Sequence, residues 1–100
     1  MTVYFTAQVK IKNREAYDRY ASRFMEVFSK FKGTMLAADF NPTVLAGNWD
    51  RDRLILMSFP DEAALMEWLT SEEYKEIGKD RDEGAEMLAL LVPALELPQS

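Results

Sequence analysis

The chain opens on a strict alternation. Val3, Phe5, Ala7, Val9 and Ile11 share one parity, and Thr2, Tyr4, Thr6, Gln8 and Lys10 the other. A period of two marks a strand with one buried face. After Asn13 the period changes. Tyr17, Tyr20, Ala21, Phe24, Val27, Phe28 and Phe31 recur at the spacing of an amphipathic helix. Asn13 is its expected N-cap, Glu15 faces the positive end of its dipole, and Gly33 is its expected left-handed terminator. Residues 34–40 read as a second strand with Asp39 near its end, before an Asn41-Pro42 turn. Residues 43–46 read as a short extended piece, followed by a Gly47-Asn48-Trp49-Asp50 loop. The third strand is expected at 53–59, with Leu54 and Leu56 on one side and Ile55, Met57 and Phe59 on the other.

Pro60 stops that strand and Asp61 caps a second helix, whose buried stripe is Ala64, Leu65, Trp68 and Leu69. Ser71 restarts the helix, with Glu72 and Glu73 in its first turn. Tyr74, Ile77 and Arg81 then share a face, and Gly84 ends it. Residues 87–92 form the last strand, and Pro93 and Pro98 lead into a loose tail at 96–100. The resulting order, β-α-β-(short β)-β-α-β, is an α+β, ferredoxin-like plan over residues 1–95, with helices on one face of an antiparallel sheet. The other face decides the assembly. The third and fourth strands are apolar on both parities, and two helices cover only one side. A second sheet, most simply from an identical subunit, is expected on the uncovered face.

Composition narrows the chemistry. One hundred residues make one domain. The net charge is −5 and no basic stripe exists, so no nucleic-acid partner is expected. The chain has no cysteine and no histidine. That removes disulfides, thiolate nucleophiles, Ser-His-Asp triads and His- or Cys-ligated metals. No cofactor or metal site is called for. No signal-like start and no apolar run of membrane-spanning length occurs, so a cytoplasmic, non-membrane protein is expected.

Several segments together resemble a bacterial family, the domain of unknown function family 1330 of the dimeric α/β-barrel superfamily. They are Glu15-Ala16-Tyr17 with Tyr20, Leu45-Ala46-Gly47-Asn48-Trp49, Arg53 through Phe59-Pro60, and Trp68 with Ser71-Glu72-Glu73-Tyr74 and Arg81. The resemblance spans roughly residues 3–95. It implies a ferredoxin-like protomer whose sheets pack into a dimeric barrel, and it implies no settled activity. The family often carries an Arg where this chain has Ala38 and a Glu where it has Ala46. Losing both together is what a mutually paired Arg and Glu would require.

The ligand-binding candidates are Tyr20, Trp68, Tyr74 and Arg81. Arg81 offers a fork of donors to a carboxylate or enolate, and Tyr74 a hydroxyl. Against this, ordinary packing accounts for most aromatics. The catalytic candidates are Asp39, as a base, and Arg81; an Asp so placed is more often a strand-end residue bonding its turn. Trp49 and Arg53 flank the loop as a lid or a dimer contact. Three functions follow. The first is a homodimer that binds a small aromatic or carboxylate-bearing molecule between helices and sheet. The second is a cofactor-independent oxygenase or isomerase using a carboxylate base and Arg81. The third is a structural or regulatory dimer without ligand.

Overall fold

The computed structural model describes residues 1–95; the expected tail at 96–100 lies outside them. Seven elements follow in order: β1 (Val3–Ile11), α1 (Arg14–Phe28), β2 (Thr34–Asp39), β3 (Arg53–Phe59), α2 (Glu62–Leu69), α3 (Glu72–Gly84) and β4 (Ala85–Pro93). The strands form one antiparallel sheet in the order β2-β3-β1-β4, and the helices pack on one side of it. This is the ferredoxin-like α+β arrangement that the periodicities predict.

The helix starts follow local chemistry. Asn13 accepts from the Ala16 amide, Asp61 from Ala64 and Ser71 from Tyr74, each satisfying one amide that the first helical turn leaves free. The alternation of β1 sets the layers. Val3, Phe5, Ala7 and Val9 are buried beneath the helices together with Ile55, Met57 and Phe59. Trp68 sits at the centre of this core, fully buried, edge-on to Phe5, Phe24 and Phe28 and stacked on Phe59.

Three expectations are corrected. Residues 43–46 form no strand; the connection from Phe40 to Asp52 is irregular. Pro42 and the positive φ of Gly47 (88°) remove any extended run long enough to pair. α1 ends at Phe28, and Phe31 packs from the following turn, half-buried. Gly33 is not left-handed. It is glycine because a Cβ there would lie 2.5 Å from the Phe28 ring and 2.7 Å from the Phe59 ring.

The sheet's far face is open. Register places Gln8 between Leu54 and Leu88, Thr6 between Leu56 and Leu90, and Tyr4 between Ser58 and Val92. Leu88, Leu90 and Val92 are 42%, 45% and 45% exposed. The open face is therefore a polar furrow along β1 between two apolar ridges. Among the described residues, no helix is long and apolar enough to cross a membrane.

Candidate functional site

Helix periodicity turns Tyr17, Tyr20 and Phe24 of α1 inward, and the Ser71 cap starts α3 so that Tyr74 and Ile77 face them. Tyr20 and Tyr74, from different helices, meet hydroxyl to hydroxyl at 2.9 Å. Arg81 Nη1 donates to the Tyr74 hydroxyl at 2.9 Å, while its Nε and Nη2 donate to Asp82 Oδ1 at 3.2 and 3.1 Å. Its guanidinium also lies 5.3 Å from the centre of the Tyr74 ring, and the Trp68 ring packs 4.4 Å from that ring on its own account. Tyr20, Trp68, Tyr74 and Arg81 are thus one contiguous group.

Their surroundings set their charge states. Burial, reinforced by the neighbouring Tyr74 hydroxyl, pushes the Tyr20 phenol well above its ordinary range, so it stays protonated. Burial works against the charge on Arg81. Tyr74, Asp82 and Tyr20 more than offset it, and the guanidinium is held above its ordinary value. The indole N–H of Trp68 is buried with no acceptor, an arrangement that costs about 1–3 kcal/mol.

Two clefts flank this group. The first, about 260 Å³, opens between α3 and β4. Phe5, Leu69, Ala85, Met87 and Ala89 make it apolar, and Tyr74, Arg81 and Asp82 supply its polar edge. The second, about 190 Å³, lies under α1 at the β2 edge and is lined by Tyr20, Phe24, Met35, Ala38, Arg53 and Ile55 among others. Tyr20 therefore borders the second cleft and bonds to a wall residue of the first. Trp68 lines neither and packs behind Tyr74.

Other candidates lie elsewhere. Asp39 pairs in register with Leu54, on the open face of the sheet; it is exposed, and its Oδ1 accepts from the Asn41 amide at 3.2 Å. Asp39 and Arg81 lie on opposite sides of the sheet, so within one chain they share no cavity. Trp49 borders a surface hollow with Leu54, whereas Arg53 turns to the helix side, so the two form no common lid. Ala38 lines the second cleft and Ala46 the hollow beside Trp49. Among the described residues, no group of three acidic, His or Cys side chains is placed to hold a metal.

Arg53, expected at a lid or a dimer contact, lines the second cleft. Its signal was parity: it shares an alternation with Ile55, Met57 and Phe59, which all face the helices.

No curated protein matches the chain. Solved structures match it closely in shape. A protein of unknown function from Rhodopseudomonas palustris is 18% identical, with 96% of this chain and 84% of that one covered and a TM-score of 0.79. A dimeric protein of unknown function with a ferredoxin-like fold from Bacteroides fragilis is 11% identical over 93% and 96%, with a TM-score of 0.70. A cofactor-independent oxygenase from Streptomyces nogalater is 12% identical over 96% and 95%, with a TM-score of 0.67. At these identities the likeness establishes the fold. The sequence itself matches the model of a domain of unknown function, DUF1330, over residues 2–95, and the chain belongs to that family.

Proposed function

We propose that this protein is a homodimer, paired through the open sheet face, that binds a small aromatic or carboxylate-bearing molecule in the cleft between α3 and β4. One observation carries the reading. An apolar cleft of about 260 Å³ has its polar groups gathered at one edge, where Arg81 and the Tyr74 hydroxyl stand 2.9 Å apart. An apolar pocket with a few convergent donors is how small molecules are oriented. Tyr20 holds Tyr74 from behind and Trp68 braces its ring, so the donors are fixed before a ligand arrives.

The enzymatic alternative draws on the oxygenase neighbour, and a shared fold does not carry an activity. The base and the enolate stabiliser it needs, Asp39 and Arg81, lie on opposite sides of the sheet. In a ligand-free structural dimer the bonds of Arg81 to Tyr74 and Asp82 would serve stability alone.

The test is a panel of aromatic acids in a thermal-shift assay on wild type and Arg81→Ala. Binders should raise the wild-type Tm, and Arg81→Ala should weaken them by about tenfold or more, the worth of one charge-assisted hydrogen bond. A panel that moves neither protein, or both equally, would sink the reading.

A further inference from the structure

Arg53 and Arg81 both lie half-buried against apolar walls, and they are neutralised differently. Arg81 has Asp82. Arg53 has no carboxylate within ion-pair distance among the described residues. Its Nη1 donates to the Tyr17 hydroxyl at 2.9 Å, a neutral partner. The Phe40 ring lies 4.5 Å from its Cζ. Its Nε is shut away from water and has no acceptor. A half-buried cation with an unused donor is unfavourable until an anion is brought to it.

Arg53 lines the 190 Å³ cleft under α1. We propose that this cleft is a binding site for a small carboxylate of single-ring size, held by Arg53. With Nη1 tied to Tyr17 and Nε enclosed, Nη2 is the N–H group left to meet a carboxylate oxygen. The rest of the wall suits a ring. Phe24 and Ile55 are rigid, and Met25 and Met35 are flexible thioethers that adapt to an aromatic face. Size sets the limit, since an apolar cavity of about 150 Å³ accommodates benzene. The present volume therefore holds one ring with its acid group. Ala38 makes the room: it stands on β2 opposite Ile55 in register, and any larger side chain there would project into the cleft. The site shares no lining residue with the α3–β4 cleft, and Tyr20 bonds to Tyr74 across the wall between them.

The experiment is a benzoate titration of the full-length protein labelled at its Met and Ala methyl groups, with affinities from calorimetry. Saturable shifts should appear at Met25, Met35 and Ala38, whether or not Met87 and Ala89 in the other cleft also shift. Arg53→Met should weaken binding by about tenfold or more. Ala38→Leu should abolish the shifts at Met25 and Met35. Benzyl alcohol, the same ring without the charge, should bind at least about tenfold more weakly by the same reasoning. The proposal is overturned by the absence of saturable binding or by shifts confined to Met87 and Ala89. It is equally overturned if Ala38→Leu keeps the shifts at Met25 and Met35, or if benzyl alcohol matches benzoate. Ala38 lies at the open rim of the cleft, so its substitution leaves the core intact and decides the matter even if Arg53→Met does not fold. Shifts confined to the second cleft would leave the proposed function at Arg81 standing while removing this one.

Discussion

Tyr20 shows what a single buried hydroxyl does to the protein as a whole. It is 2% exposed, bonds to Tyr74, and keeps its proton well beyond the usual phenol range because burial disfavours the phenolate. In the unfolded chain the same group ionises near pH 10. Below that pH both states hold the proton, and the hydroxyl adds no pH dependence. Above it the unfolded state loses the proton first, so stability falls as pH rises, by up to about 1.4 kcal/mol per pH unit. Tyr20→Phe should cost about 0.5–1.5 kcal/mol at neutral pH, the worth of one hydrogen bond, and should flatten the alkaline limb. Urea midpoints at pH 8 and pH 11 for both proteins check this; an equal alkaline loss in the two would refute it. The identity of Tyr20 as an inward residue was legible in the helical spacing. Its partner was not, because Tyr74 lies 54 positions away and periodicity says only which way a side chain points.

At the scale of elements, the junctions carry more than the elements themselves. Helix starts were readable because a cap and the amide it serves are three residues apart. The α3–β4 junction was read only as a helix end, and its true role is a close approach. The Gly84 carbonyl accepts from the amides of Lys12 and Asn13 at 2.8 and 3.0 Å, tying the β1–α1 turn to the end of α3. A Cβ on Gly84 would lie 2.4 Å from the Tyr17 backbone nitrogen. Backbone cannot swing aside as a side chain can. Gly84→Ala should therefore destabilise by about 1–3 kcal/mol, the usual cost of overpacking, seen as a lower urea midpoint. An unchanged midpoint would mean that the junction yields freely. This contact positions both clefts, because it sets α1 against α3 and so brings Tyr20 to Tyr74.

The whole molecule is a slab. Its radius of gyration is 14.5 Å, against about 13 Å for a compact chain of this length, and its shortest extent is 16 Å. Only one side of the sheet is covered, and the bare side carries the Leu54–Leu56 and Leu88–Val92 ridges. In a two-fold pairing the same ridges would meet their own copies, with the polar Thr6–Gln8 furrow held in register between them. Leu90→Lys tests that pairing. The side chain is 45% exposed in the protomer, so its loss should change protomer stability by no more than about 0.5 kcal/mol. A lysine there would bury an unpaired charge at the contact and drive the protein to monomers, read by sedimentation velocity. Wild type that sediments as a monomer, or a variant that remains dimeric, would remove the sheet face as the interface.

The helices and their N-caps, the four paired strands, the alternation of β1 and an apolar sheet face left over were legible in the chain alone. Each of these is encoded in spacings of two to four residues, where backbone geometry translates pattern directly into direction. Tertiary structure decided the rest. It divided the expected single pocket into two clefts, set Trp68 behind Tyr74, and put Asp39 across the sheet from Arg81. It also left Arg53 facing a cavity without a carboxylate. These depend on which inward-pointing side chains of distant segments meet, and on how much space remains between them. Volume and proximity of that kind arise only when the helices have docked on the sheet.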